Sequence, residues 1–150
     1  MRKTALATGA VLVLSLALVA IATGAARDTY KVSSKLTPGA DVPKPKGASG
    51  ASGSFSGKYV EHQSSATLTW KLSYTGLTGS AMQAHIHLGK PGVSGNVIVP
   101  LCGPCKNGMT GRATIKESVI KALEAGKAYV NVHTKKNPAG EIRGQIKVAG

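Results

Sequence analysis

The sequence of 150 residues contains few acidic residues, few aromatic residues and only two cysteines. The six Asp and Glu residues are scattered, so no carboxylate pair suited to glycoside cleavage is present. The chain also lacks a Gly-x-Ser-x-Gly nucleophile elbow and a phosphate-binding glycine loop. These absences leave no recognisable catalytic set. They favour a binding or structural protein over an enzyme.

The scarcity of acids makes the chain strongly basic, with 19 Lys and Arg residues and a net charge of +13. The lysines are dispersed, and no aromatic residues alternate with them for stacking on bases, so specific nucleic-acid recognition is not indicated. A positive surface attracts anionic partners, but it also simply disfavours aggregation of an exported protein. We therefore predict an unidentified protein or anionic polymer as the partner. The oligomeric state stays open.

A long apolar run occurs only at the N-terminus. After the basic start Met1–Lys3, residues 5–22 are almost all small or aliphatic, and Gly24–Ala26 offers small residues to a peptidase. The pattern predicts a signal peptide over residues 1–26 and export to the periplasm or the extracellular space. A retained membrane anchor is the alternative. Removal leaves residues 27–150 as a single domain, in which 17 basic residues against six acids give a net charge of about +11.

Helical periodicity is almost absent from the remaining chain. Residues 66–74 alternate between apolar and polar side chains, which is typical of a half-buried strand. Only Glu117–Ala125 has helical spacing, and Gly126 is well placed to end that helix. Seven or eight short strands with Gly- and Pro-rich turns and one short helix predict an all-β sandwich or small barrel.

The predicted strands cover residues 29–36, 54–60, 66–74, 82–88, 95–101, 111–115, 127–134 and 141–148. Alternation within them predicts the core. Its members are Val32, Leu68, Trp70, Leu72, Ile86, Leu88, Val97, Val99, Leu123, Val130, Val132, Ile142, Ile146 and Val148.

Three of the four histidines lie on predicted strands. His85 and His87 are two residues apart, so both imidazoles project from the same side of their strand. His133 shares a side with Tyr129 and Asn131 on another strand. If the two strands are neighbours, three neutral imidazoles form a facial or trigonal site for a copper or zinc ion. The alternative is a structural hydrogen-bonded network that binds no metal.

The closing strand adds further polar side chains beside His133. Glu141 is a candidate oxygen ligand or an acceptor for an imidazole N–H. Arg143 either pairs with Glu141 or presents its guanidinium to a carboxylate or sulfate ligand. Together with Asn131, these two residues are the predicted ligand-binding residues.

Cys102 and Cys105 are three residues apart. A thioredoxin-type redox pair needs its first thiol at a helix N-terminus, whereas loop sequence follows here. In an exported chain this spacing favours a small disulfide that stiffens the loop. Copper capture by the two thiolates is a third reading.

Several of these motifs, in this order, resemble the CHRD domain. They are Ala84-His-Ile-His-Leu-Gly89, Gly95-Asn-Val-Ile-Val-Pro-Leu101, the Leu123-x-x-Gly126 helix end, Tyr129-Val-Asn-Val-His-Thr134 and Pro138-x-Gly-Glu-Ile-Arg-Gly-Gln145. That domain is named for chordin, a secreted animal antagonist of bone morphogenetic proteins, and also occurs alone in bacterial exported proteins. The resemblance covers residues 29–148. It implies an immunoglobulin-like β-sandwich or barrel with a distant likeness to copper/zinc superoxide dismutases.

Two departures limit what the resemblance implies. The chain has none of chordin's Cys-rich modules, so growth-factor antagonism does not carry over. A dismutase-like zinc-site Asp and bridging histidine cannot be assigned, and His62 is the remaining imidazole. We predict an exported, non-enzymatic CHRD-domain protein that binds or has a structural envelope role through the polar side of the His85, His87 and His133 strands. A mononuclear copper or zinc protein, for metal handling or a dismutase-like reaction, is the alternative.

Overall fold

The computed structural model describes residues 27–150, and the predicted signal peptide lies outside these residues. Nine strands, one α-helix and a short 3-10 helix at Pro38–Ala40 make up the regular structure of this range. The elements are β1 (Thr29–Leu36), β2 (Ser52–Glu61), β3 (Ser65–Thr75), β4 (Ala81–Leu88), β5 (Val97–Cys102), β6 (Met109–Lys116), α1 (Glu117–Glu124), β7 (Ala128–Thr134), β8 (Ile142–Gln145) and β9 (Lys147–Ala149). No helix in residues 27–150 has the length and apolar character needed to cross a membrane.

The strands form two antiparallel sheets that pack face to face around one core. One sheet has the strand order β6-β3-β2-β1-β9, and the other has the order β5-β4-β7-β8. Side chains that alternate along β3 and β7 supply much of this core, as their period of two requires. The predicted all-β sandwich with one short helix is confirmed.

Most of the predicted core residues are buried, but Leu88 and Val97 are 45% and 47% exposed. The register between β4 and β5 explains Val97. A shift between Ile86 and His87 sets Val99 opposite Ile86, whereas Val97 lies opposite His87 on the other side of the sheet. Leu88 is the last residue of β4, where the strand leaves the core. Val148 is partly buried against the core.

The predicted closing strand is in fact two strands that belong to different sheets. β8 pairs with β7 and completes the predicted hairpin, and β9 pairs with β1 in the five-stranded sheet. Ile146 lies between them, 2% exposed, and its N–H donates to the carbonyl of Ala128. One continuous strand could not pair with both β7 and β1, because these two strands belong to different sheets.

Helix α1 covers one end of the core with Val119, Ile120, Ala122 and Leu123. Gly126 follows with φ of +64°, a left-handed conformation that glycine adopts without strain, and its N–H donates to the carbonyl of Leu123. The helix therefore ends where the sequence predicts.

Candidate metal centre

The pairing of β4 with β7 brings the three strand histidines together. His133 lies opposite Gln83, and His85 lies opposite Asn131, so His133 is the diagonal neighbour of His85. The ring centroids of His85 and His133 are 5.1 Å apart, and that of His87 lies 5.5 Å from His85 and 5.6 Å from His133. The two strands are therefore neighbours, which is the condition on which the predicted three-imidazole site depends.

One ring nitrogen from each histidine lies within 4.8 Å of the other two. Metal–nitrogen bonds of about 2.0–2.1 Å place nitrogens about 3.4 Å apart around a tetrahedral ion. Small rotations of the imidazole rings therefore suffice for all three to reach one ion. The donor set, three imidazoles, suits copper and zinc.

Main-chain carbonyls fix the tautomers of two rings. Nδ1 of His87 lies 2.9 Å from the oxygen of Gly95, and Nδ1 of His133 lies 3.0 Å from the oxygen of Pro138. A carbonyl oxygen only accepts, so both Nδ1 atoms carry the hydrogen. The Nε2 lone pair of His133 then accepts from the Nδ1 of His85 at 3.3 Å, and the Nε2 lone pair of His87 has no donor within the described residues. This is the arrangement in which outer hydrogen bonds orient metal-ligating histidines.

The Nε2 atom of His87 is buried and has no hydrogen-bond partner within residues 27–150. A buried acceptor without a donor costs about 1–3 kcal/mol, so such an atom requires an explanation. The ring centroids of His85 and His133 lie 5.5 Å and 5.6 Å from the centroid of the His87 ring. A metal ion held by all three rings would satisfy this lone pair.

A stack of three side chains holds His87 in place. Its ring lies on the ring of Tyr129, with centroids 5.0 Å apart and planes 9° apart, and the Arg143 guanidinium carbon lies 3.4 Å from the Tyr129 centroid. Arg143 donates to the carbonyls of Lys90 and Val93. Gly95 lies in the same loop as these two carbonyls. One loop therefore holds Arg143 in the stack and also accepts the hydrogen bond from His87.

Gly95 itself is required by close packing in this loop. A Cβ at this position would overlap the carbonyl oxygen of Leu88. The Gly95 N–H donates to the Tyr129 hydroxyl at 3.1 Å, and the Gly95 carbonyl accepts from His87. The glycine therefore allows the loop to approach both aromatic rings.

Burial lowers the pKa of two of the three histidines. Desolvation is the largest cause for His85, and the neighbouring His87 adds to it. Desolvation lowers the pKa of His133 to about 4; the Pro138 carbonyl opposes this shift, and His85 and His87 reinforce it. Both rings are neutral at pH 7, which is the form that binds metal.

The stability of the metal-free protein is expected to fall as the pH is lowered from about 6.5 to about 4. The pKa values of His85 and His133 are depressed in the folded chain, so the unfolded chain takes up these protons first. Denaturation midpoints in urea between pH 7 and pH 4 measure the effect, and a His133→Gln variant should show a shallower decline. An equal decline in the variant would contradict the assignment to His133.

The three predicted ligand-binding residues do not form an open polar surface. Asn131, Glu141 and Arg143 are 2%, 0% and 1% exposed, because loops that precede the sheet or connect its strands fold over its outer side. Arg143 lies over Tyr129, which stacks on His87, whereas Asn131 donates to Asp41. The prediction that these three side chains contact a ligand at an open surface is therefore corrected, because all three are buried.

Glu141 does not pair with Arg143, nor does it accept from an imidazole. Its carboxylate accepts from the Thr78 N–H and hydroxyl, from the Thr134 hydroxyl and from the Asn137 amide. Burial alone would raise the pKa of Glu141, but these hydrogen bonds together lower it. Glu141 lies at a bend of the chain just before β8, and its side chain meets Thr78 rather than an imidazole.

Asp41 is a buried site residue that sequence reasoning missed. Its Oδ1 accepts from Asn131 at 3.2 Å, and its Oδ2 has no partner within the described residues. Burial raises the pKa of Asp41, while the Val42 N–H, Asn131, Arg143 and His87 oppose this shift. Asp41 is the only acid in the Pro- and Gly-rich connection after β1. A single acid in such a segment was the only sequence feature that could have pointed to Asp41 as a site residue.

The remaining candidates lie apart from the cluster. Cys102 and Cys105 form the predicted disulfide, with sulfur atoms 2.06 Å apart. His62 lies in the β2–β3 turn, where its Nε2 is 2.9 Å from the Thr67 hydroxyl. His62 is therefore not a fourth ligand of this group.

The two sheets and the three converging imidazoles define the class of protein: a β-sandwich domain with a candidate mononuclear metal centre on the outer side of one sheet. A family model described as the CHRD domain matches residues 32–146. The chain belongs to this family, as its motifs predict. Comparison with curated proteins found no match, and comparison with solved structures found none either.

Proposed function

We propose that this protein binds one copper or zinc ion through His85, His87 and His133. The observation that carries the proposal is the buried Nε2 of His87, a lone pair that lies beside two further imidazoles and has no donor in residues 27–150. The carbonyls of Gly95 and Pro138 support the proposal, because they hold two rings in the tautomer that ligation needs.

The chemistry of the donors limits the ion. Imidazole nitrogens suit copper and zinc, whereas magnesium and calcium prefer oxygen. Because the three imidazoles are neutral, the net charge of the occupied site equals the charge of the ion. In this proposal the protein is a metal-binding module in which Arg143 positions His87 through Tyr129, and the buried Asn131, Glu141 and Arg143 do not contact a partner.

We propose that the protein works outside the cytoplasm. The disulfide between Cys102 and Cys105 fits an oxidising compartment, and the leader-like residues 1–26 fit export. A metal-binding module in that location would take up, hold or hand on an ion that reaches the cell surface. The proposal assigns no reaction to the domain.

Isothermal titration calorimetry on residues 27–150 tests the proposal. Copper or zinc is added to the wild-type domain and to a His85→Ala/His87→Ala variant. We expect one ion per chain in the wild type and no binding heat above background in the double variant, because two of the three ligands are lost.

His62→Ala is the matched control, since it removes an exposed imidazole outside the cluster. It should bind the ion as the wild type does. Circular dichroism of each variant verifies that the fold is retained. Equal binding by the wild type and the His85→Ala/His87→Ala variant would rule out the proposed site.

A further inference from the structure

Resting on the proposed function, we infer that the bound ion keeps one coordination position open and that a small anion occupies it, drawn in by exposed lysines on the neighbouring loops. The ligand class is a small inorganic anion or a carboxylate. Three features of the structure support this: the partial exposure of the cluster, the loops that surround it, and the distribution of charge on those loops.

The first feature is access. His85 and His133 are partly exposed, while His87 is only 8% exposed. No fourth histidine, cysteine or carboxylate of the described residues joins the group. Four ligands are usual for zinc, and three protein ligands leave one position for solvent or another ligand. The open position faces the side from which His85 and His133 are reached.

The second feature is a set of three connected loops around the cluster, which we call the site loops: residues 41–51, 89–96 and 135–141. Ser94 donates to the carbonyl of Val42, which joins the first two loops. The backbone of Lys46 exchanges hydrogen bonds with the side chain of Asn137, which joins the first and third. Together they cross the outer side of the β5-β4-β7-β8 sheet.

The third feature is the charge of the site loops. Five lysines in them are exposed: Lys44, Lys46, Lys90, Lys135 and Lys136. The only acids in these loops, Asp41 and Glu141, are 1% and 0% exposed. No exposed carboxylate of residues 41–51, 89–96 or 135–141 therefore offsets the lysines.

The exposed and half-buried acids of the domain lie elsewhere. Glu61, Glu117 and Glu124 line a hollow beside α1 together with Tyr30. Asp28 is close enough to Tyr30 to raise its pKa, as Glu61 and Glu124 also do. The approach to the histidines is therefore positive, and a low-dielectric, positively charged approach raises the local concentration of anions. An ion of charge +2 at its floor adds to that attraction.

Sodium azide tests the inference, because it is a small anion that gives a visible charge-transfer band when it binds Cu(II). The domain is loaded with Cu(II), or with Co(II) as a coloured substitute if calorimetry shows zinc binding alone, and azide is titrated at low ionic strength. A Lys90→Glu/Lys135→Glu/Lys136→Glu variant reverses three charges of the site loops. The matched control, Lys58→Glu/Lys71→Glu/Arg112→Glu, reverses three exposed charges of the other sheet, which line one hollow there.

We expect the azide dissociation constant to rise on the order of tenfold in the site-loop variant and to change little in the control, with the difference shrinking in 0.5 M salt. Metal bound without any azide-dependent change in the spectrum would overturn the inference and leave the proposed function standing. So would equal azide affinity in both triple variants. Absence of metal binding in the wild type would overturn the inference and the proposed function together.

Discussion

Replacing Glu141 by alanine is expected to lower the free energy of unfolding by about 3–5 kcal/mol. The carboxylate is fully buried and accepts hydrogen bonds from Thr78, Thr134 and Asn137. Alanine would leave the buried Thr134 hydroxyl and Asn137 amide, and the half-buried N–H and hydroxyl of Thr78, without their acceptor. Each unpaired buried donor costs about 1–3 kcal/mol, and the partners can only partly re-pair with one another.

Urea or guanidinium denaturation at pH 7 measures this change. Glu141→Gln is the informative companion, because it keeps the shape and one acceptor oxygen and should cost less than alanine. Glu117→Ala makes the same chemical change in an exposed ion pair with Lys121, where the loss should be much smaller because solvent screens the pair. A loss below about 1 kcal/mol for Glu141→Ala would show that the network does not stabilise the fold.

Saturation with the bound ion is expected to stabilise the folded domain by about 4 kcal/mol when the free ion is present at about 1,000 times the dissociation constant. For a domain of this size this corresponds to a rise in the melting temperature of roughly 12–20 °C. The physical reason is that the unfolded chain does not hold the three imidazoles together, so the ion binds the folded state by preference.

Differential scanning calorimetry with and without copper or zinc measures the shift. His133→Ala should abolish most of it, because His133 is the ligand that links β7 to β4 across the sheet. His62→Ala should retain the full shift. A shift of the same size in His133→Ala would place the stabilising ion at some other site.

The histidine cluster shows how far sequence reasoning reached. His85 and His87 were placed on one side of a strand by their spacing, and His133 was placed on the outer side of another strand by the apolar residues Val130 and Val132. The structure agrees on both counts. The spacing could not establish that these two strands are adjacent, since nothing in a local pattern states which strands pair.

The supporting residues show where the same reasoning failed. Asn131, Glu141 and Arg143 were predicted to be open contacts because polar residues that alternate with buried ones usually face water. Here the site loops cover that side of the sheet, so both sides of β7 are buried. Asp41 was overlooked for the same reason, because its position in an irregular segment gives no sign of the sheet onto which that segment folds.

The sequence by itself determined the strands, the single helix, the two-sided character of β4 and β7, the disulfide and the family. These follow from alternation, spacing and residue chemistry, all of which are local properties. Only the tertiary structure decided that β4 lies beside β7, that the last strand divides between two sheets, and that loops with exposed lysines lie next to three converging imidazoles. Those features depend on pairing between residues far apart in the chain, where many registers satisfy the same local pattern and only the packed whole selects one.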